Sequence, residues 1–315
     1  MSKEQKHGRA LDAESRGHAV SGEGQGELWP DGIIGLEPDT SRLSDFSGEC
    51  VEGPGAKAPG QPMDSGQVLQ PSRKTIQDLL LKEGFLAVQL AAEVDSVEAL
   101  QGTLAKQLSQ NSKETRARYA QSLLRWFFPD GVHGLATRVW VAYRDGTVES
   151  DILRYLYLVA EPVVGACVAG PLFPLENGME VPPDYFDRFL GDHLGEAPPP
   201  KTRKRLKSNL MHLGFLARAK GKPDRLCPVA STKTAFLILV HHLFAPTGPR
   251  TVEVSRLLSD PFWKYLGYKS EDAVRQVLRE ADAAGLLGKY VVADQLEQVT
   301  TCMTLDEMLV RKVRL

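Results

Sequence analysis

The chain has 315 residues, of which 42% are hydrophobic and 25% are charged, and its net charge is −2. This composition is ordinary for a soluble globular protein, and the length predicts about two domains at ~100–200 residues each. The four cysteines form no CxxC pair, which argues against a disulfide framework and a cysteine-based zinc site and favours a reducing cytoplasm.

Residues 1–70 differ from the rest of the chain in charge and composition. They carry 12 acidic and 6 basic side chains and 12 of the 28 glycines, so residues 71–315 have a net charge of +4. Such a segment buries too little apolar surface to offset the entropy of ordering. We predict a disordered, acidic, glycine-rich tail without a secretory signal. The tail contains two short apolar segments, Leu28-Trp29-Pro30 and 32–36. These two apolar islands are either a docking motif or part of a tail without a binding role.

Residues 71–175 are predicted to form a helical domain with a helix-turn-helix-like pair. Apolar residues recur at helical spacing from near Ser72, residues 95–98 have the form of a helix start, and Ser112 can cap a helix over residues 113–128. If the pair binds DNA, its second helix contributes four contacts: Lys113, Thr115, Arg116 and Arg118. A solvated helix face in a bundle explains the same pattern equally well.

The most apolar stretch runs from Ile152 to Ala169. It is interrupted by Arg154, Glu161 and Pro162, whereas a membrane-spanning helix needs about 20 apolar residues without such charges. We therefore predict a buried core helix and no membrane partner.

Residues 176–230 are predicted to form a winged-helix-like unit. Its helix runs to Gly214, which suits the left-handed conformation that ends a helix, and a β-hairpin follows. Cations at a helix N-terminus oppose the macrodipole, while Lys and Arg neutralise DNA phosphates, so the pattern favours DNA contact over a solvated helix start. The candidate DNA contacts in the helix are Lys201, Arg203, Lys204, Arg205 and Lys207, and those in the hairpin are Arg218, Lys220 and Lys222.

Residues 231–315 are predicted to form a second winged-helix-like unit. A helix, a glycine, two apolar residues and a hairpin recur about 70 residues after the first set, with a less basic helix capped by Ser270. Residues 251–258 are predicted to form a short helix. An aromatic-rich connector then offers a candidate protein-binding surface made of Phe262, Trp263, Tyr265 and Tyr268.

The sequence carries no motif of a common enzyme class. Walker A, GxGxxG, HExxH and GxSxG sequences are all missing, and the adjacent His241 and His242 cannot share one face of a helix. We therefore predict no catalytic residue, no metal site and no cofactor, and we expect that the protein is not an enzyme.

The central part of the chain resembles the BrxA family of bacterial BREX phage-defence systems over residues 73–230. The resemblance lies in the order of elements. A Ser/Thr- and Arg-rich second helix of a helical pair (111–118 and 122–125) is followed by an apolar helix (152–169) and a short helix with Asp and Phe (184–190). A basic helix (202–205) then ends in a Gly-Leu-Leu-like sequence (214–216). It implies a small, helical, non-catalytic accessory protein that binds DNA. The acidic tail and residues 231–315 depart from the family pattern.

Together these features predict a mainly α-helical protein in which a helical bundle with a helix-turn-helix-like pair precedes two winged-helix-like units with short β-hairpins. We expect a cytoplasmic, non-enzymatic accessory protein of a bacterial antiphage defence system, whose partners are double-stranded DNA and other subunits of a defence complex. The oligomeric state is left open. The alternatives are a winged-helix scaffold that binds protein in a condensin-like or defence complex, and a transcriptional repressor that prefers one palindromic operator.

Overall fold

The computed structural model describes residues 76–315, apart from residues 183, 196, 220 and 295. Helices account for 56% of these residues and strands for 8%, in thirteen helices and two small antiparallel sheets. The predicted mainly α-helical fold with short β-hairpins is therefore confirmed. The predicted acidic tail over residues 1–70, with its two apolar islands, lies outside the described residues.

Three helices open the described region: α1 (Leu81–Ala91), α2 (Val97–Gln107) and α3 (Lys113–Phe127). The Ser112 hydroxyl accepts a hydrogen bond from the amide of Thr115, which confirms the predicted cap of α3. Ser96, in the predicted helix start at 95–98, caps α2 by accepting from the amide of Ala99. The helix predicted from near Ser72 begins only at Leu81, although Ile76 and Leu79 are buried.

Three further helices carry most of the apolar stretch: α4 (Leu135–Tyr143), α5 (Gly146–Ala160) and α6 (Pro162–Ala169). The single helix predicted over residues 152–169 is wrong, because the chain bends by 109° between α5 and α6. Pro162 lacks an N–H group and disfavours helical geometry in the residue before it, so α5 ends and α6 begins at Glu161.

The lengths of these helices bear on the membrane question. Within the described ranges, no single helix is both long and apolar enough to cross a bilayer. The helices α5 and α6 reach the required length and hydropathy only when they are taken together across their bend.

The first winged-helix-like unit contains α7 (Tyr185–Leu194), α8 (Pro200–His212), β1 (Leu216–Arg218) and β2 (Asp224–Leu226). Gly214 has φ +83° and reverses the chain between α8 and the hairpin. An extended segment around residues 179–181 pairs with the free edge of β2. The amide of Val181 donates to the carbonyl of Asp224 at 2.8 Å, and the amide of Leu226 donates to the carbonyl of Met179 at 2.9 Å.

The second winged-helix-like unit has seven elements: α9 (Lys233–Phe244), β3 (Thr251–Glu253), α10 (Val254–Ser259), α11 (Phe262–Tyr265), α12 (Glu271–Ala283), β4 (Lys289–Ala293) and β5 (Leu296–Thr300). The strand order is β3-β5-β4. The helix predicted over 251–258 is therefore partly wrong, since Thr251, Val252 and Glu253 form a strand opposite β5. The predicted hairpin and the Ser270 cap of α12 are confirmed.

Both units follow one chain order. In each unit an extended segment is followed by two or more helices and then by a hairpin, whose last strand pairs with that segment. In the second unit, α9 precedes the extended segment. This is the chain order of a winged helix, in which the helix before the hairpin occupies the recognition position. That helix is α8 in the first unit and α12 in the second.

The described residues belong to one compact unit with a continuous hydrophobic core. A β-carbon added to Gly165 of α6 would lie only 2.5 Å from the carbonyl oxygen of Leu158 and 2.8 Å from the hydroxyl of Tyr265, so glycine permits close packing of α6 on α11. A last helix, α13 (Leu305–Val310), packs against α4 and α9. The predicted domain boundaries at 175/176 and 230/231 stay predictions.

The aromatic connector lies in this core. Phe262, Trp263 and Tyr265 are buried, and Tyr268 is half-buried against the ring of Phe236, with 5.4 Å between the ring centroids. The prediction that these four residues form a protein-binding surface is therefore wrong, because their large rings pack inside the protein, where α11 contacts α5 and α6 and the rings of Phe262 and Tyr268 meet Phe236 of α9.

Candidate nucleic-acid interface

The helix α8 divides into a buried face and a polar face. Leu206, Asn209 and Leu210 are buried, which the 3.6-residue period of a helix places on one side. Lys201, Lys204 and His212 lie outside this buried face, and both lysines are exposed. The predicted cluster of cations is therefore distributed around the helix, and only part of it faces solvent.

Two cations on the flanks of α8 are held by aspartates from other parts of the chain. Arg203 Nη1 lies 2.5 Å from Asp187 Oδ2 of α7. Arg205 Nε lies 3.2 Å from Asp78 Oδ2, and its Nη1 donates to the carbonyl of Ile76 at 3.0 Å. Both guanidinium groups remain partly exposed, so each ties α8 to a neighbour and still adds positive charge to the surface.

A third cation of α8 takes part in a buried ion pair. Lys207 Nζ lies 2.5 Å from the carboxylate of Asp224, which also binds the guanidinium of Arg218 in the hairpin. Burial alone would raise the pKa of Asp224, but the hydrogen bonds from Arg218 and Lys207 hold it below its ordinary value. These three residues join α8 to the hairpin, so the charges of Lys207 and Arg218 are already paired within the protein.

Lys201 and Lys204 have no acidic partner within the residues that the structure describes. Lys201 lies in the first turn of α8, which contains no acidic side chain, and the helix dipole disfavours a cation there. An anion outside the protein would offset this unfavourable charge. The two lysines are one turn apart, so they can meet neighbouring phosphates of one ligand.

The described hairpin residues provide fewer unpaired cations than the three that the sequence predicts. Lys222 is exposed beside Gly221, whose φ of +74° helps to turn the chain. Arg218 is bound to Asp224, and Lys220 lies outside the described residues. Lys222 is thus the described cation at this tip that remains available to a partner.

The four predicted contacts of α3 also have different roles. Arg116 donates to the carbonyls of Ala105 at 2.9 Å and Gln110 at 2.7 Å, so its guanidinium fixes the turn between α2 and α3. The Thr115 hydroxyl accepts from Ser112 at 2.9 Å. Lys113 and Arg118 are exposed, which leaves two cations of α3 toward solvent.

The structure brings α3 and α8 together at one cleft of about 140 Å³. Arg118 of α3 and Arg205 of α8 both line it, as do the rings of Tyr119 and Trp126. Lys113 lies five residues before Arg118, about 7.5 Å along the helix at 1.5 Å per residue. The two sets of cations, 80 to 90 residues apart in sequence, therefore contribute to neighbouring surfaces.

The residue that anchors α8 beneath this cleft was not among the predicted site residues. Asn209 is fully buried, its side-chain oxygen accepts from the amide of Leu79 at 2.9 Å, and its nitrogen donates to the carbonyl of Gln77 at 2.7 Å and the hydroxyl of Tyr157 at 2.6 Å. A polar residue within the apolar stripe of a helix was the available signal, because buried amides need several hydrogen-bond partners.

The structure offers little for metal binding. In the described part of the chain, no group of three or more His, Cys, Asp or Glu side chains could hold a metal ion. His241 is buried with Nδ1 2.9 Å from the carbonyl of Leu237, and burial lowers its pKa. His241 thus has a core environment, in keeping with the helical position expected for it.

Comparisons with known proteins do not assign the chain to a family. No family model matches the chain, and no curated protein matches it. A solved structure titled "SspB crystal structure" covers 74% of this chain and 83% of its own length, at 12% identity and a TM-score of 0.46. A likeness at this level supports no conclusion about fold or function, and the resemblance to the BrxA family stays a prediction.

Proposed function

We propose that this protein is a non-enzymatic, double-stranded-DNA-binding accessory protein, with the exposed face of α8 as its main contact. The observation that carries the proposal is the pair Lys201 and Lys204, which have no acidic partner in the described residues and project from the helix in the recognition position. Each phosphate that a lysine neutralises releases condensed counterions, so such a face binds DNA with a strong dependence on salt.

The surroundings of α8 extend the contact. Arg118 and Arg205 line the cleft beside the helix, Lys113 is exposed near the start of α3, and Lys222 is exposed at the hairpin turn. Phosphate contacts of this kind set affinity and orientation, whereas sequence is recognised through base edges. We therefore expect binding to many DNA sequences with modest preference among them.

The proposal is tested by DNA binding of the full chain measured at several salt concentrations. In the variant Lys201→Ala/Lys204→Ala, we expect at least a tenfold loss of affinity near 0.1 M salt and a salt-dependence slope smaller by about 1–2, at roughly 0.9 per lost phosphate contact. These substitutions leave the ion pairs of Arg203, Arg205 and Lys207 intact, so folding is expected to be unaffected.

A matched control removes the same charge from the second unit. Arg279 and Lys289 are exposed, and Arg279→Ala/Lys289→Ala lowers the net charge equally. Retained affinity in this control, together with lost affinity in the α8 variant, supports the proposal. Equal affinity of the α8 variant and the wild type, with an unchanged slope, would mean that α8 is not the DNA contact.

The cellular setting is a separate part of the proposal. We propose that the protein acts in the bacterial cytoplasm, within an antiphage defence system, on the basis of the resemblance to the BrxA family. Co-purification of the full chain with the products of its neighbouring genes tests this setting. A defined preference for one palindromic operator, without such partners, would instead favour a transcriptional repressor.

A further inference from the structure

An open apolar groove of about 420 Å³ lies between α4 and α13, and no residue of the proposed DNA contact lines it. Val141 of α4 and Val310 of α13 line it and are 51% and 81% exposed, while Leu309 is buried beside them. Large hydrophobic side chains that share one exposed groove are typical of interaction sites. The groove therefore has the apolar surface that a binding partner could cover.

One polar group in the wall of this groove lacks a partner. Thr137 lines the groove and is only 4% exposed, and its hydroxyl makes no hydrogen bond within the described residues. Most buried hydroxyl groups are hydrogen-bonded, because an unsatisfied one is unfavourable by about 1–3 kcal/mol. The Thr137 oxygen itself has almost no accessible surface, so a ligand in the groove would not reach it. The apolar surface and the charge of the rim are the features that point to a ligand.

The rim of the groove is cationic. Lys312 lines it and has no acidic partner in the part of the chain that the structure describes, and Arg311 is exposed next to Lys312. Asp306 is the one carboxylate among the described residues that line the groove, and it is already paired with Arg138. The rim is therefore complementary to a ligand with acidic groups beside apolar ones.

The walls of the groove are held in place by contacts behind α13. The Tyr143 hydroxyl donates to the carbonyl of Val313 at 2.7 Å, Arg314 Nη1 lies 2.8 Å from Asp145 Oδ2, and the amide of Leu315 donates to the Thr234 hydroxyl at 3.2 Å. These bonds attach the segment after α13 to α4, to the N-cap residue of α5 and to α9. A groove that exists before binding loses less ordering entropy when it is filled.

We infer that this groove binds an acidic amphipathic helix of a partner protein. Apolar side chains spaced at i, i+3 or i+4 and i+7 would cover Val141, Leu309 and Val310, and flanking Asp or Glu side chains would approach Lys312 and Arg311. The nine residues of α4 span about 13 Å, which matches two to three turns of a bound helix. The open shape suits a helix better than a small enclosed ligand.

The test starts from an unbiased peptide selection. A displayed library of random 14-residue peptides is selected on the full chain, with counter-selection on the variant Val310→Asp. We expect enriched sequences to combine helical apolar spacing with Asp or Glu. No enrichment, enrichment of basic sequences, or binding of dodecanoate in place of peptides would overturn the inference.

The consensus peptide is then titrated against matched variants by fluorescence anisotropy. We expect Val141→Asp and Val310→Asp to weaken binding at least tenfold, and Lys312→Glu to weaken it about three- to tenfold. Val292→Asp and Lys289→Glu make the same changes at exposed sites on β4 and should leave the affinity unchanged. Equal affinity for wild type and Val310→Asp, with melting temperatures unchanged, would contradict the assigned site.

Discussion

At the scale of single residues, Glu149 on α5 has the least favourable environment of the described acids. It is fully buried, and neither carboxylate oxygen has a hydrogen-bond partner among the described residues. Burial raises the pKa of Glu149 well above its ordinary value, because the charged form loses its hydration without a compensating partner. Glu149 is therefore protonated in the folded protein at pH values where it is ionised in the unfolded chain.

This environment predicts a loss of stability as the pH rises. A raised pKa in the folded state means that the folded protein binds the proton more tightly, so its free energy of unfolding falls from the ordinary glutamate range up to the raised pKa. We expect Glu149→Gln, which cannot ionise, to raise the free energy of unfolding by about 1–3 kcal/mol at pH 8 and by less at pH 4.5. Urea unfolding at both pH values measures the difference.

The exposed acid Glu114 on α3 provides a control. Glu114→Gln should change the free energy of unfolding by no more than about 0.5 kcal/mol at either pH. The interpretation of Glu149 is incorrect if Glu149→Gln is as stable as the wild type at pH 8, or if the two proteins keep the same pH dependence.

Sequence reasoning could find the cations of α8 but not their partners. Arg205 and Asp78 are 127 residues apart, and Arg203 and Asp187 are 16 apart, so the pairs arise only when the chain has folded. From the sequence alone, all five cations of α8 are equally good candidates for DNA contacts. In the described structure, Lys201 and Lys204 have no acidic partner, whereas Lys207 forms an ion pair with Asp224.

At the scale of elements, the ion pairs of Asp224 join the recognition-position helix to its hairpin. Asp224→Asn would leave Lys207, whose side chain is 18% exposed, without its anionic partner. Removing one member of a buried pair leaves an uncompensated charge, so we expect the free energy of unfolding at pH 7 to fall by about 2–4 kcal/mol. Chemical denaturation measures this change.

The stability of Asp224→Asn relative to the wild type should also depend on pH. Since the pKa of Asp224 is lowered in the folded state, its stabilisation is present above the ordinary aspartate pKa and is lost as the pH falls through the lowered value. The difference in the free energy of unfolding between wild type and Asp224→Asn should therefore narrow as the pH falls below the ordinary aspartate pKa. The neighbouring variant Arg225→Ala breaks an exposed pair with Glu180 and should lose less than about 1 kcal/mol. An Asp224→Asn variant no less stable than this control would refute the proposed role.

Sequence patterns predict the elements well where the signal is local. Ser112 and Ser270 cap their helices as expected, because a serine hydroxyl and the following helical amides lie within one turn. The strand β3 was predicted as helix because its pairing with β5 is non-local. The helix α13 was not predicted, although the capping box of Thr304 and Glu307 at its start is a signal visible in the sequence.

At the scale of the whole molecule, Gly165 controls how closely α6 packs against α5 and against α11 of the second winged-helix-like unit. We expect Gly165→Ala to destabilise the protein by about 1–3 kcal/mol, because the new methyl group would meet a backbone carbonyl that cannot move aside easily. Thermal and urea unfolding measure the loss.

A second glycine supplies the matched control. Gly102 of α2 has open space around its Cβ position, so Gly102→Ala should stabilise the protein by up to about 1 kcal/mol through helix propensity alone. If Gly165→Ala proves as stable as Gly102→Ala, α6 and α11 are not in the close contact described.

The shared chain order of the two units has a consequence for synthesis on the ribosome. Glu180 bridges Arg225 across 45 residues, and Thr251 faces Thr300 across 49, so each sheet begins with one strand and is completed only by its last. The first strand of each unit must therefore wait, unpaired, until about fifty more residues have been translated. At ~5–20 residues per second this delay lasts several seconds, during which each unit is an incomplete nascent chain.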